Sequence, residues 1–233
     1  MAMHSWITIA LWGGCTRDPV VQQASPTEQL VVASEKVIFE SVEKLGAHRS
    51  ISTFNRTEYF EENIRSEHQE ILEISWRDWD NFQYARRVDD ETVAEVIIAD
   101  FKTWAYSAGD WKPQPDGELY RVQLRTTWNQ WDNMMHSFTE YVTWESVGQE
   151  TIEGRKAQKY VANFTPPPKA KAGVQPLAFE GAVWVDEQTA VRLLGTITGE
   201  MGQDTRRSKL KLQIQRVDIN ADFEIAPPVE ESD

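Results

Sequence analysis

One cysteine, Cys15, stands in 233 residues, so the chain has no intramolecular disulfide, no CxxC pair and no thiolate cluster. Histidine is nearly as scarce. His4, His48, His68 and His136 fall in no HxH, HxxxH or HExxH spacing, which argues against a zinc site. A G-x-S-x-G elbow, a P-loop and a GxGxxG turn are also missing. Basic residues are the minority charge, 24 against 37 acidic for a net of −13, which excludes a broad phosphate-tracking face for nucleic acid. No apolar run approaches the roughly 20 residues of a transmembrane helix. The carboxylate runs Glu61-Glu62, Asp89-Asp90-Glu91 and Glu230-Glu231 sit in polar stretches and read as solvated surface or turns. The expectation is a protein that is not an enzyme and needs no metal or cofactor.

What is plentiful is aromatic. Ten tryptophans bring the aromatic share to 11%, within 40% hydrophobic and 26% charged residues and a mean hydropathy of −0.54. A chain of this length buries about 70% of its unfolded surface in a single core. The rings admit two readings: a large aromatic core, or an aromatic-lined cavity or interface.

The apolar stretch Trp6 to Leu11 runs through Trp12 into Gly13-Gly14 immediately before Cys15. Small residues ahead of a cysteine resemble a bacterial lipoprotein signal, although Met1 to Ser5 lack the basic residues that open a secretory signal. The alternative is an ordinary hydrophobic N-terminus. The resemblance implies cleavage before Cys15, acylation of that residue and attachment to a membrane; Thr16 resembles the residue of lipoproteins forwarded to the outer membrane. Residues 1–15 then form the signal, and 16–26, with Pro19 and Pro26, a flexible tether.

A helix is expected from Thr27 to about Leu45, where Leu30, Ser34, Val37, Ile38, Ser41, Val42 and Leu45 share a face and Gly46 supplies a C-cap. From His48 to Ala108 the period falls to two, predicting an antiparallel meander with strands near 70–76, 82–86, 92–98 and 101–106. Asp110 to Gly117, with Pro113 and Pro115, is expected to break the sheet. Tyr120, Leu124, Trp128, Trp131, Met135 and Phe138 then recur at helical steps. A second strand block follows near 147–152, 157–164, 182–187, 191–201 and 210–219. The Pro- and Lys-bearing stretch from Thr165 to Pro176 reads as a loop and a candidate lid or partner contact, and 229–233 as a disordered acidic tail.

Three pieces carry a family resemblance: Thr151 to Tyr160, Gly181 to Thr189 with its Trp184-Val185-Asp186 reversal, and Arg216 to Pro228 with Phe223 and Pro227-Pro228. They resemble the lipoprotein-localisation superfamily of LolA-type carriers, LolB-type receptors and LppX-like lipid-binding lipoproteins. On its own chemistry Asp186 can close an Asx-type turn to Thr189.

The resemblance implies an α+β fold over 27–228: a strongly curved antiparallel sheet, an incomplete β-barrel, closed by helices over an apolar cavity. It implies a membrane-anchored lipoprotein on the periplasmic side of a bacterial envelope. Such a protein would hold a lipid, acyl chain or lipoprotein for transport or handover at the outer membrane. The alternative is a non-catalytic envelope adaptor or stress sensor that contacts a protein. Apolar-face positions make Trp76, Phe82, Trp104, Trp128, Trp131, Met135 and Trp184 the candidate cavity residues.

Overall fold

The structure, a computed structural model, describes residues 22–23, 43–127, 130–168 and 173–228. Cys15, the signal and tether, most of the expected first helix, Trp128 and the acidic tail lie outside the described residues. Of that first helix only a 3-10 turn, Glu43–Leu45, is described, followed by Gly46 at φ 81°.

Twelve described strands form one antiparallel sheet: β1 (Gln22–Gln23), β2 (His48–Phe60), β3 (Asn63–Asp78), β4 (Asn81–Val88), β5 (Glu91–Ala99), β6 (Lys102–Ser107), β7 (Asp110–Gln114), β8 (Val142–Ile152), β9 (Arg155–Phe164), β10 (Gln175–Asp186), β11 (Arg192–Gln203) and β12 (Arg206–Val217). Their order across the sheet is β1-β8-β9-β10-β11-β12-β2-β3-β4-β5-β6-β7, so the sheet is open, with β1 and β7 at its edges. Two short helices, α1 (Glu118–Thr127) and α2 (Gln130–Met135), join its halves. The protein is thus more sheet than the α+β expectation implies.

Tight reversals carry this meander. Asp89 and Asp90 (φ 49° and 69°), Asp100 and Phe101 (48° and 64°), and Glu153 and Gly154 (49° and 73°) each place two left-handed residues between strands. Such a pair matches the twist of a hairpin. The proline-bearing segment from Asp110 does not break the sheet as expected. It supplies β7, where Pro113 pairs with Trp104, because an edge strand tolerates a residue without an N–H. Likewise β10 begins at Gln175, shortening the expected 165–176 loop.

One face of the sheet holds the core. A row of cross-strand partners, Tyr160, Val183, Gly195, Ile214, Ser52 and Leu72, runs through β9, β10, β11, β12, β2 and β3. The helical segment crosses this same face. On α1, the Tyr84 hydroxyl of β4 donates to Gln123 at 3.0 Å, and Leu124 is wholly buried. On α2, Gln130 reaches β2 and β3, and Trp131 lies against Gly195 of β11. Beyond α2, Phe138 packs on Phe179 of β10 at 4.9 Å between centroids. Strands far apart in the order therefore bury their inner faces on one short helical stretch, which requires the sheet to curl around it.

Candidate functional site

An apolar groove opens where β2, β11 and β12 run on past α2. Cross-strand register places Phe54 opposite Leu212, Arg56 opposite Leu210, Glu58 opposite Ser208 and Phe60 opposite Arg206. Met201 of β11 pairs with Ser208. Alternation puts Phe54, Leu210 and Met201 on the inner face, continuing the core rows that α2 covers elsewhere. Among the described residues no helix lies over them. Gln130, Asn133 and Met134 form one wall of a cavity of about 410 Å³, and Val174, 63% exposed, forms part of its rim. A second cavity of about 660 Å³ adjoins it through Val174, Met201 and Ser208, and reaches the β2–β3 and β11–β12 hairpins at Tyr59, Phe60, Gln203 and Arg206. Both volumes are within the roughly 300–1,000 Å³ of small-molecule sites.

A polar clip anchors the helical wall. Arg86 of β4 donates to Glu70 of β3 through Nε and Nη2 at 3.0 and 2.9 Å. Gln130 Nε2 donates to the same carboxylate at 2.6 Å, while Gln130 Oε1 accepts the Ser52 hydroxyl. Burial works to raise the Glu70 carboxyl, but the hydrogen bond and charge of Arg86, joined by Gln130, outweigh it. Glu70 therefore sits below its ordinary value and remains a carboxylate. The N-terminus of α2 is pinned by charge-assisted bonds beside an otherwise apolar floor.

The residues singled out in the sequence occupy other places. Trp76, Phe82, Trp131 and Met135 are each 3% exposed or less, within packed clusters. Trp104 is also buried, beside a small recess of about 200 Å³ shared with Asp100, Lys102 and Pro227-Pro228. Trp184 alternates to the outer face, where its Nε1 donates to Glu150 at 2.7 Å and Lys159 lies 4.7 Å over its ring. None of these six lines the groove. Phe54 was missed because it stands among polar residues of β2; Leu210 opens the Leu210-Leu212-Ile214 alternation and Met201 stands near the end of β11, patterns that signal a strand but not where its inner face lies open.

The Trp184-Val185-Asp186 reversal is built as its chemistry predicts. Asp186 accepts the Thr189 N–H and hydroxyl at 2.8 and 2.7 Å, closing the Asx turn. It also takes a two-pronged bond from Arg155 at 2.8 and 2.9 Å, in the Thr151 to Tyr160 segment that also carries the resemblance. Among the described residues no His/Cys/Asp/Glu cluster fits a metal ion, and no helix is long and apolar enough to cross a membrane.

No family model matches the chain, and no curated protein matches it. Among solved structures it is similar to the lipoprotein LppX of Mycobacterium tuberculosis. That likeness has 11% identity and a TM-score of 0.35, and covers 87% of this chain and all of LppX. A LolA superfamily protein from Nitrosomonas europaea is similar at 9% identity and TM-score 0.25, over 78% of this chain and 93% of that one. The Pseudomonas aeruginosa MucA/MucB complex gives 16% identity and TM-score 0.27, over 84% of this chain and 58% of that one. LolA- and LppX-like folds are thus among those this chain is similar to. At these scores the reading of the groove rests on its own residues.

Proposed function

We propose that the protein binds a lipid, an acyl chain or the acylated end of a lipoprotein in the inner-face groove, for transport or handover at the bacterial outer membrane. In this reading Cys15 carries the lipid anchor that holds the domain on the periplasmic side. The observation that carries it is the partly exposed apolar floor of Phe54, Met201 and Leu210 beside Met134. Each methylene transferred there from water contributes about 0.8 kcal/mol, enough for capture and still reversible into a bilayer.

The test is native mass spectrometry with solvent extraction on the full chain purified from a bacterial envelope. A co-purifying amphiphile released by solvent is expected. A clean apo mass that takes up no added lipid would reject the reading. It would favour instead an envelope adaptor, for which exposed Leu119 and Val122 on α1 and Phe101, 82% exposed at a hairpin tip, offer a protein-contact surface.

A further inference from the structure

The mouth of the groove is basic on a strongly acidic chain. Arg56, Arg65, Arg206 and Arg207 line the two adjoining cavities, with Glu58 the one carboxylate among the described lining residues. Two of these arginines are already engaged. Arg207 pairs with Glu62 at 2.7 Å and Glu200 at 3.6 Å, and Arg56 pairs with Glu58.

Arg65 and Arg206 differ. The β2–β3 register slips between Glu58, opposite Ser66, and Tyr59, opposite Ile64, which leaves Arg65 as the extra residue of a β-bulge. A bulge re-aims a side chain. Strict alternation puts Arg65 on the outer face with Ile71 and Glu73, yet its guanidinium lies over the Phe60 ring, 5.0 Å from the centroid. Arg206 is the cross-strand partner of Phe60. One cation thus stacks on the Phe60 ring and a second stands on the residue paired with it, at the wet end of the groove, and among the described residues neither makes an ion pair with a carboxylate. In a chain with 37 acidic residues, no described carboxylate pairs with either of these two beside the apolar cavity.

Resting on the lipid-binding reading above, we infer that the ligand is an anionic amphiphile, its acyl chain on the Phe54–Met201–Leu210 floor and its phosphate or carboxylate head between Arg65 and Arg206. Guanidinium groups suit this role because their planar fork meets two oxygens at once and stacks on aromatic faces.

The experiment compares lysophosphatidylglycerol with lysophosphatidylcholine of the same acyl chain, as monomers titrated into the full chain at low and high salt. The anionic lipid is expected to bind about tenfold tighter at low salt, an advantage that shrinks as salt screens the partly exposed rim. Both arginines are exposed, so Arg65→Gln with Arg206→Gln is expected to fold, to lose the preference and to keep its affinity for the choline lipid. Equal affinity of the unaltered protein for both lipids would overturn the head-group inference and leave the lipid-binding reading standing. Binding of neither lipid would overturn both. A preference that survives the double substitution would overturn the assignment to these arginines. Glycerol phosphate competing as well as the lipid would identify a free-anion site and overturn the amphiphile.

Discussion

The Trp131 indole lies directly on the backbone of Gly195: a Cβ built on that glycine would stand 2.8 Å from Trp131 Cζ3. The same arrangement recurs at Gly199, where a Cβ would meet Phe138 at 2.4 Å. Bare backbone on β11 is what lets rings from the helical segment sink into the sheet, and Arg192 closes over Trp131 at 4.2 Å from the centroid. Gly195→Ala must move a rigid ring in a packed core and is expected to cost about 1–3 kcal/mol. A urea titration reads this as a lowered midpoint; an unchanged midpoint would show that the ring is not seated there.

Core and groove substitutions should separate cleanly. Trp131→Ala and Met135→Ala remove fully buried side chains and are expected to lower stability by about 2–5 kcal/mol. Met201→Gln with Leu210→Gln alters partly exposed groove residues and should leave the unfolding midpoint close to that of the unaltered protein. It is expected to weaken lysolipid binding about tenfold or more, since every 1.4 kcal/mol of lost apolar burial is about tenfold in affinity. Measuring both quantities on both sets is decisive, because the reverse pattern would place the ligand among the tryptophans.

His48 ties stability to pH. Burial pushes its imidazole from 6.5 down to about 4, aided by the charge of Arg216 and opposed by the bond from Nδ1 to the Gly46 carbonyl at 2.8 Å. The folded value lies below the unfolded one, so the unfolded chain takes up the proton first. The contribution is therefore complete above pH 6.5 and is lost as pH falls toward about 4, a change of about 3 kcal/mol. Denaturation midpoints across this window should fall with pH, and His48→Gln should flatten the slope. A slope unaltered in that variant would assign it to other groups.

Asp186 and Arg155 hold the β8–β9 and β10–β11 connections together. The Asp186 side chain is 1% exposed and that of Arg155 19%. Desolvation favours the neutral acid, but bonds from Arg155 and Thr189 overcome it and keep the carboxyl below its ordinary value. Asp186→Ala strands the guanidinium and two turn donors, with an expected loss of about 3 kcal/mol. Thermal unfolding checks this, and Asp186→Asn should recover part of the loss by accepting from Thr189.

The clip on α2 is separately testable. Gln130→Ala removes bonds to Ser52 and Glu70 and is expected to cost about 1 kcal/mol. Hydrogen exchange should quicken at His136, Phe138 and Thr139, whose N–H groups donate to Asp132 and Met135 carbonyls, and remain slow in β9 and β10. Acceleration spread evenly over the sheet would mean that the clip supports the whole fold rather than the wall of the groove.

Much of this architecture was legible in the residues. Period-two runs such as Phe82 to Arg86 and Thr92 to Ile98 became β4 and β5, and the turn chemistry of Asp89-Asp90 and of Asp186 to Thr189 was local enough to read directly. Pro113 misled because a proline excludes a central strand but not an edge one, and edge position is a property of the whole sheet. The long first half of β3 and the β2 strand carried polar residues on both faces, so alternation there was too weak to find Phe54.

The sequence by itself determined the antiparallel meander, the hairpin reversals and the pool of large rings available for burial, because strand period and turn preference act between near neighbours. Only the tertiary structure decided which apolar residues became core and which became groove. Trp131 is buried because β11 brings Gly195 beneath it; Met201 and Leu210, farther along β11 and β12, keep part of their surface in the cavity that α2 walls on one side. That distinction depends on register between segments distant in the chain and on which part of the inner face one short helix meets, and no local pattern of residues encodes either.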